Sequence, residues 1–329
     1  MDRETVAMTH DMILAASRRI KGHIHQTPIL SSPFLDEIAG RKIFVKAECL
    51  QHTGSFKFRG AMSAISALDD TAKAKGVLAF SSGNHAQGIA LAARQMGIAA
   101  TIIMPKDAPK IKIENTKAYG AEVILYDRGT EDRDAIGDDI ARSGGLTLIK
   151  PFDDPFVIAG QGTTGLEIAK QAADLGIKDA SVLVCCGGGG LTSGIALALA
   201  KDPPDFDVHP VEPHGFDDVK RSLASGQHET NATQSGGICD AIVTPTPGQL
   251  TLPIMLEHCS SGISVSEDEV LDAMALAYDR LKIVVEPGGA VALAAALFHK
   301  GAELKETVIA VATGGNVDPA VFAKALERR

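Results

Sequence analysis

From Val77 onward the chain alternates between two periodicities. Short apolar runs at 77–80, 100–104, 122–126, 146–149, 181–185, 208–211 and 307–312 are separated by longer segments at 84–96, 110–119, 130–143, 157–175 and 266–281, which carry helical patterns. Strands buried on both faces read as continuous apolar runs, and two parallel strands need a crossover, usually a helix. The rhythm therefore predicts an α/β fold with open parallel sheets flanked by helices. Ser266 followed by Glu269 is a capping box that fixes the start of the helix at 266–281. A further apolar run at 43–46 predicts a strand ahead of the alternating region. No repeat and no Pro/Gly/Ser linker divides the chain. Its 329 residues nevertheless suffice for two domains at roughly 150 residues each.

Composition narrows the class of partner. A net charge of -9 gives no electrostatic footprint for nucleic acid or an anionic membrane. No segment reaches the roughly 18 apolar residues of a membrane span. The five cysteines, Cys49, Cys185, Cys186, Cys239 and Cys259, are odd in number and contain no C-x-x-C. Neither a disulfide framework nor a zinc site is indicated, and a reducing, cytoplasmic setting is expected. Residues 1–20 carry Asp2, Arg3, Glu4 and Asp11 without an uninterrupted apolar core, so they do not read as a signal peptide.

Candidate chemistry gathers in a few segments. Thr53-Gly54-Ser55-Phe56-Lys57-Phe58-Arg59-Gly60-Ala61 crowds small and hydroxylated residues around one lysine at an expected helix start. Desolvation and the helix dipole there would disfavour the ammonium and sharpen the amine as a nucleophile, although this segment taken alone better describes a surface lysine at a helix start. Ser81-Ser82-Gly83-Asn84-His85-Ala86-Gln87-Gly88 follows one apolar run and opens a helical pattern. Such a turn points N–H groups and polar side chains at one spot, which suits a carboxylate or phosphate; helix capping by itself requires fewer of these residues. In Cys185-Cys186-Gly187-Gly188-Gly189-Gly190-Leu191-Thr192-Ser193-Gly194, four consecutive glycines stand between a strand and a helix. That entropic cost implies close approach of the backbone to a ligand or positive φ, and a phosphate on the helix N-terminus is the natural occupant. Two more glycine-rich turns, Val284 to Ala290 and Val311 to Asn316, complete a set that an open parallel sheet would bring to one end.

A dinucleotide fingerprint is excluded at the glycine run. Glu212 lies where a ribose-binding acid would sit, but Thr192 or Ser193 occupies the position of the last glycine in either frame. A Walker sequence is absent as well, since no glycine precedes Lys-Ser or Lys-Thr.

In order and spacing these segments resemble the fold-type II pyridoxal-phosphate (PLP) enzymes, a two-domain, tryptophan synthase β-like architecture. Within them the chain is similar to the serine/threonine dehydratase and serine racemase group, including 3-hydroxyaspartate dehydratases. The match runs from Thr27-Pro28 through TGSFKFRGA, SSGNHAQG, Ile158 to Thr163, the glycine run and EPGGA to ATGGN. The resemblance implies a large PLP-binding domain of residues 1–75 plus 153–329 and a small mobile domain of residues 76–152, in a homodimer without a regulatory effector-binding domain. It implies that Lys57 forms the internal aldimine and acts as a base, that Phe56 packs on the pyridine ring, and that Asn84 bonds the ring hydroxyl. Gly187, Gly188, Gly189 and Gly190, with Leu191, would cradle the phosphate, and Glu286 and Thr313 would complete the cofactor contacts. A neutral hydroxyl from Thr313 at the pyridine nitrogen makes a weaker electron sink than an aspartate would, which favours prompt elimination.

For the substrate, the resemblance places Ser81, Ser82, Asn84 and His85 around the α-carboxylate. His52 and Arg133 are candidate cations for a second carboxylate. Glu212, Asp218 and the Phe216 carbonyl match a divalent-cation site, and all-oxygen ligation suits Mg²⁺, Ca²⁺ or Mn²⁺; a solvated acidic turn is the alternative. The implied reaction is β-elimination of serine, threonine or 3-hydroxyaspartate to a 2-oxo acid and ammonia. Ser82 opposite Lys57 would serve an amino-acid racemase instead.

Overall fold

The computed structural model describes residues 8–108, 110–127, 129–201, 205–233, 235–301 and 303–328, with the side chains of 111, 133 and 134 outside the description. Among these residues ten strands form two sheets. The larger contains β1 (Ile29–Ser31), β2 (Lys42–Ala47), β7 (Asp179–Cys185), β8 (Asp205–Pro213), β9 (Ile263–Val265) and β10 (Thr307–Ala312), in the order β1-β2-β10-β7-β8-β9. The smaller contains β3 (Val77–Phe80), β4 (Ala100–Pro105), β5 (Glu122–Tyr126) and β6 (Thr147–Leu148), in the order β5-β4-β3-β6. Every pairing is parallel except that of β1 with β2. The α/β architecture and its parallel sheets are thus as the alternating pattern implies, with one antiparallel strand added at an edge.

Several boundaries differ from the pattern for identifiable reasons. The helix expected at 157–175 spans Pro155–Asp174, because Asp154 accepts from the N–H groups of Phe156 and Val157 and Pro155 occupies the first helical position. The segment expected at 266–281 is α-helical only over Glu267–Leu276; it widens into a π turn at Ala277–Leu281 and stops at Lys282, whose φ is 60°. The capping box of Ser266 and Glu269 is present. EPGGA is no simple turn: Pro287 opens the helix Pro287–Phe298, whose residues are buried from Pro287 to Leu297. A helix that is apolar all round leaves no amphipathic period to read.

That buried helix packs against β7, β8 and β10 on one face of the large sheet. On the other face Pro155–Asp174 and Gly190–Leu199 lie against each other with almost no side chain between them. A Cβ on Gly194 would stand 2.6 Å from the Ile158 carbonyl oxygen, and one on Gly162 would stand 2.8 Å from that of Gly194. Glycine at these two positions lets the helix that follows the four-glycine turn sit deep against its neighbour.

Candidate active site

Lys57 is the first residue of the helix Lys57–Ser66. The loop before it is pinned to the end of β10: the N–H of Phe56 donates to the Thr313 carbonyl at 3.1 Å, and Ser55 bridges Gly314. Gly54 has φ of +72°, and a Cβ there would lie 2.7 Å from Asn316 Oδ1, so this turn accepts only glycine. The helix is anchored two residues on. Arg59 is wholly buried, and its guanidinium meets Glu48 through Nε and Nη2 and Glu167 through Nη1 and Nη2, all four contacts at 2.8 Å. Two bidentate pairs on one guanidinium fix both position and orientation.

The Lys57 side chain enters a cavity of about 250 Å³, where Nζ donates to the Pro151 carbonyl at 2.8 Å and lies 5.2 Å from the centre of the Phe56 ring. Enclosure by protein lowers this ammonium to about 8, against an opposing pull from the Glu286 carboxylate. Facing it are Ser81, Ser82, Asn84 and His85 from the turn between β3 and the helix Asn84–Gln95, the four glycines with Leu191, and Glu286 and Thr313. Residues far apart in the chain thus line one space with the lysine, as the turn geometry of an open parallel sheet requires.

The polar groups are tightly interlocked. Asn84 Nδ2 donates to Glu286 Oε1 at 2.6 Å, and Asn316 Nδ2 donates to Asn84 Oδ1 at 2.8 Å. Burial raises the Glu286 carboxyl to about 7, opposed by the Asn84 bond. His85 is buried, and burial together with the Lys57 charge lowers it to about 3. Its ring is therefore neutral; Nε2, 3.0 Å from the Ile149 carbonyl, must carry the proton, which leaves Nδ1 as an acceptor. Each glycine of the turn is packed from behind. A Cβ on Gly187 would meet the Ile242 backbone, on Gly188 and Gly190 Phe152, and on Gly189 Met255 and Thr251. The peptide planes therefore stay close to the wall, and the N-terminal N–H groups of the helix Gly190–Leu199, which have no intrahelical acceptor, are available to an anion.

One expected residue is elsewhere. His52 does not line the cavity. It stacks on His25 at 3.7 Å between ring centres and meets Phe58 edge-on, and burial with the neighbouring His25 lowers its pKa, so it is no cation for a second carboxylate. The Arg133 side chain lies outside the described residues. Glu212, in β8, and Asp218, the first residue of the helix Asp218–Ser225, do not line the cavity, nor does Phe216 between them in the chain. The sequence reading overlooked Lys112, Phe152, Gln161, Asp240 and Thr244 as lining residues. Gln161 belongs to a segment already noted, but its role appears only through contact: Oε1 accepts from the Gly60 N–H at 3.2 Å. A second cavity, of about 530 Å³, adjoins the first and shares Lys112, Asp240 and Glu286 with it.

A buried amine of lowered pKa, a flat aromatic side chain, a phosphate-sized helix N-terminus, an amide and a neutral hydroxyl are a donor set that fits an aldehyde cofactor carrying a phosphate. Known proteins agree. The chain is 44% identical over 321 residues to the L-threo-3-hydroxyaspartate ammonia-lyase of a Pseudomonas species, covering 97% of this chain and 98% of that one. Among solved structures, the threonine deaminase of T.th. superposes with a TM-score of 0.88 at 44% identity, covering 94% of this chain and 99% of that one. Maize serine racemase gives 0.90 at 37% identity, covering 98% of each. The family model described as "Pyridoxal-phosphate dependent enzyme" matches residues 20–314, and the chain belongs to that family.

Proposed function

We propose that this protein is an ammonia-lyase that removes water and ammonia from L-threo-3-hydroxyaspartate. The observation that carries this reading is the enclosure of the Lys57 amine with the 81–85 turn and the four-glycine turn in one cavity. The choice of substrate is supported by the name of the 44% identical relative. PLP held on Lys57 supplies the electron sink for the substrate α-carbon. Phe56 would flank its ring, Asn84 and Thr313 would hold the ring's polar edge, and Gly187 to Leu191 would take its phosphate. The N–H groups at the start of the helix Asn84–Gln95, with Ser81 and Ser82, bind the substrate α-carboxylate. Glu286 holds Asn84 in place from behind. The Lys57 amine would take the α-proton of the substrate; a value near 8 leaves it basic enough to accept this proton and acidic enough to hand it to the departing β-hydroxyl. The β-hydroxyl departs as water, and the enamine released hydrolyses to a 2-oxo acid and ammonia.

Steady-state rates with the three candidate β-hydroxy amino acids test the assignment. The expected result is a kcat/KM for L-threo-3-hydroxyaspartate at least about tenfold, or roughly 1.4 kcal/mol, above those for L-threonine and L-serine. A preference for either monocarboxylate would overturn the substrate. A second reading, racemisation, is favoured by one observation: Ser82 lines the same cavity as Lys57, in a chain similar to a serine racemase. Formation of D-serine from L-serine without 2-oxo acid would support it.

Glu212 and Asp218, with the Phe216 carbonyl, are read as a site for Mg²⁺, Ca²⁺ or Mn²⁺. Burial and the Asp218 charge push the Glu212 carboxyl well up, burial raises Asp218 to about 6, and the buried Asp218 Oδ2 has no hydrogen-bond partner. Two buried carboxylates and an orphaned oxygen fit a hard cation. Its role there is to hold structure. Residues 76–152 are read as a unit that moves against the rest, and the molecule as a cytoplasmic homodimer. The last is supported by the exposed apolar side chains Phe34, Ile38, Tyr278 and Val284.

A further inference from the structure

We propose that Asn231 is a positioning residue that couples the Glu212 and Asp218 carboxylates to the wall of the reaction cavity at Thr244; the inference rests on the reading of those carboxylates as a cation site. Asn231 is buried. Its Nδ2 spans two acceptors, donating to Asp218 Oδ1 at 2.6 Å and to the Thr244 carbonyl oxygen at 2.9 Å. An amide nitrogen has two hydrogens, so both bonds exist at once. On the other side Oδ1 accepts from Arg221 Nη2 at 2.7 Å, and the backbone N–H donates to the Pro245 carbonyl at 2.9 Å. With all these contacts made, the amide has one orientation, and a rotation about its side-chain bonds breaks at least two of them.

Thr244, at the far end, lines the cavity that holds Lys57, and its Oγ1 is buried without a hydrogen-bond partner. A buried hydroxyl left unpaired by the protein invites a partner from a ligand. The same loop is tied to the phosphate turn: Thr251 Oγ1 donates to the Gly188 carbonyl at 2.6 Å, and the Gly248 N–H donates to it at 3.2 Å. On the cation side, both oxygens of Glu212 accept N–H groups from the first turn of the helix that carries Asp218, from Val219 at 2.9 Å and from Lys220 at 2.7 Å. A cation drawing the two carboxylates together therefore reaches the substrate wall through one side-chain amide. Coupling of this kind is reciprocal, so substrate must tighten the cation by the factor by which the cation tightens substrate.

The experiment is the affinity of PLP-loaded enzyme for Mn²⁺, read by electron paramagnetic resonance, without and with saturating L-aspartate. That amino acid keeps both carboxylates and the amine of the proposed substrate but has no hydroxyl to lose, and its saturation is followed by the cofactor's absorbance. The wild type is expected to bind Mn²⁺ about fivefold or more tightly when L-aspartate is present. In Asn231→Ala Mn²⁺ still binds, and the ratio falls to near one. Arg221→Ala removes a half-exposed side chain that steadies the same amide; it should lower the ratio partway with the fold intact, and decides the matter if Asn231→Ala does not fold. Full wild-type coupling in the folded variants would overturn the inference, as would a wild-type ratio of one with both ligands bound. A wild type that binds no Mn²⁺ overturns the cation reading and this inference with it.

Discussion

Lys57 must be buried enough to lose its proton near neutral pH, yet free enough to turn between cofactor and substrate. Its lowered value of about 8 has a kinetic signature. Only the neutral amine attacks an aldehyde, so the rate at which apoenzyme captures PLP should climb about tenfold per pH unit below 8 and level off above it. Stopped-flow absorbance would show this, and a flat profile from pH 6 to 9 would contradict it. Lys57→Ala should lose both turnover and the visible absorbance of the loaded protein. At the glycine turn, Gly188→Ala drives a methyl into the Phe152 ring. The expected outcome is cofactor affinity lower by about tenfold or more with an unchanged far-ultraviolet spectrum, since overpacking at one site costs roughly 1–3 kcal/mol. The four glycines and Asn84 stood out in the sequence because the composition of their turns exceeds what folding alone needs, whereas Lys57 and Thr313 stood out only through the resemblance; all of them line one cavity. Phe152, Gln161 and Thr244 did not, because nothing local distinguishes them; only the packing of distant elements brings them to the cavity.

Elements carry these residues into register, and the helix Lys57–Ser66 is held by charge as much as by packing. Replacing Arg59 with methionine leaves the buried Glu48 with the Thr27 hydroxyl but no direct ion pair, and Glu167 with Lys46 alone, which should destabilise the protein by about 3–5 kcal/mol in equilibrium denaturation. Burial pushes the Glu48 carboxyl up, but the Arg59 contacts outweigh it and set it below its ordinary value of 4.5. A depressed carboxylate contributes stability that is present above the ordinary value and disappears as pH falls through the lower, folded one. The tether thus holds throughout the neutral range and fails only in acid. Element identity was readable where a local signal marks a boundary, as at the capping box of Ser266. It was not readable for Pro287–Phe298, which is apolar on every side, nor for the three-residue strands β1 and β9, too short to carry a period.

At the scale of the whole molecule, the exposed apolar side chains argue for a partner. Arg280 lies 4.5 Å from the Phe34 ring centre, and Tyr278 meets Phe322 edge-on at 5.6 Å, so Phe34 and Tyr278 belong to ordered clusters. If a second copy covers them, Tyr278→Glu should reduce the mass seen by light scattering from twice 34.3 kDa to 34.3 kDa. A wild type already at the lower mass would refute the dimer. Sheet order has a consequence of another kind. Of the six strands in the large sheet, β10 is the latest in chain order, yet it lies inside, between β2 and β7. On the ribosome, therefore, two strands wait with facing edges unsatisfied until the segment at 307–312 has left the exit tunnel. Insertion of that segment is the event that brings Thr313 to the lysine, so the nascent chain cannot be competent for its cofactor before then. Until then the open slot presents unpaired strand edges of the kind that make folding intermediates prone to aggregate.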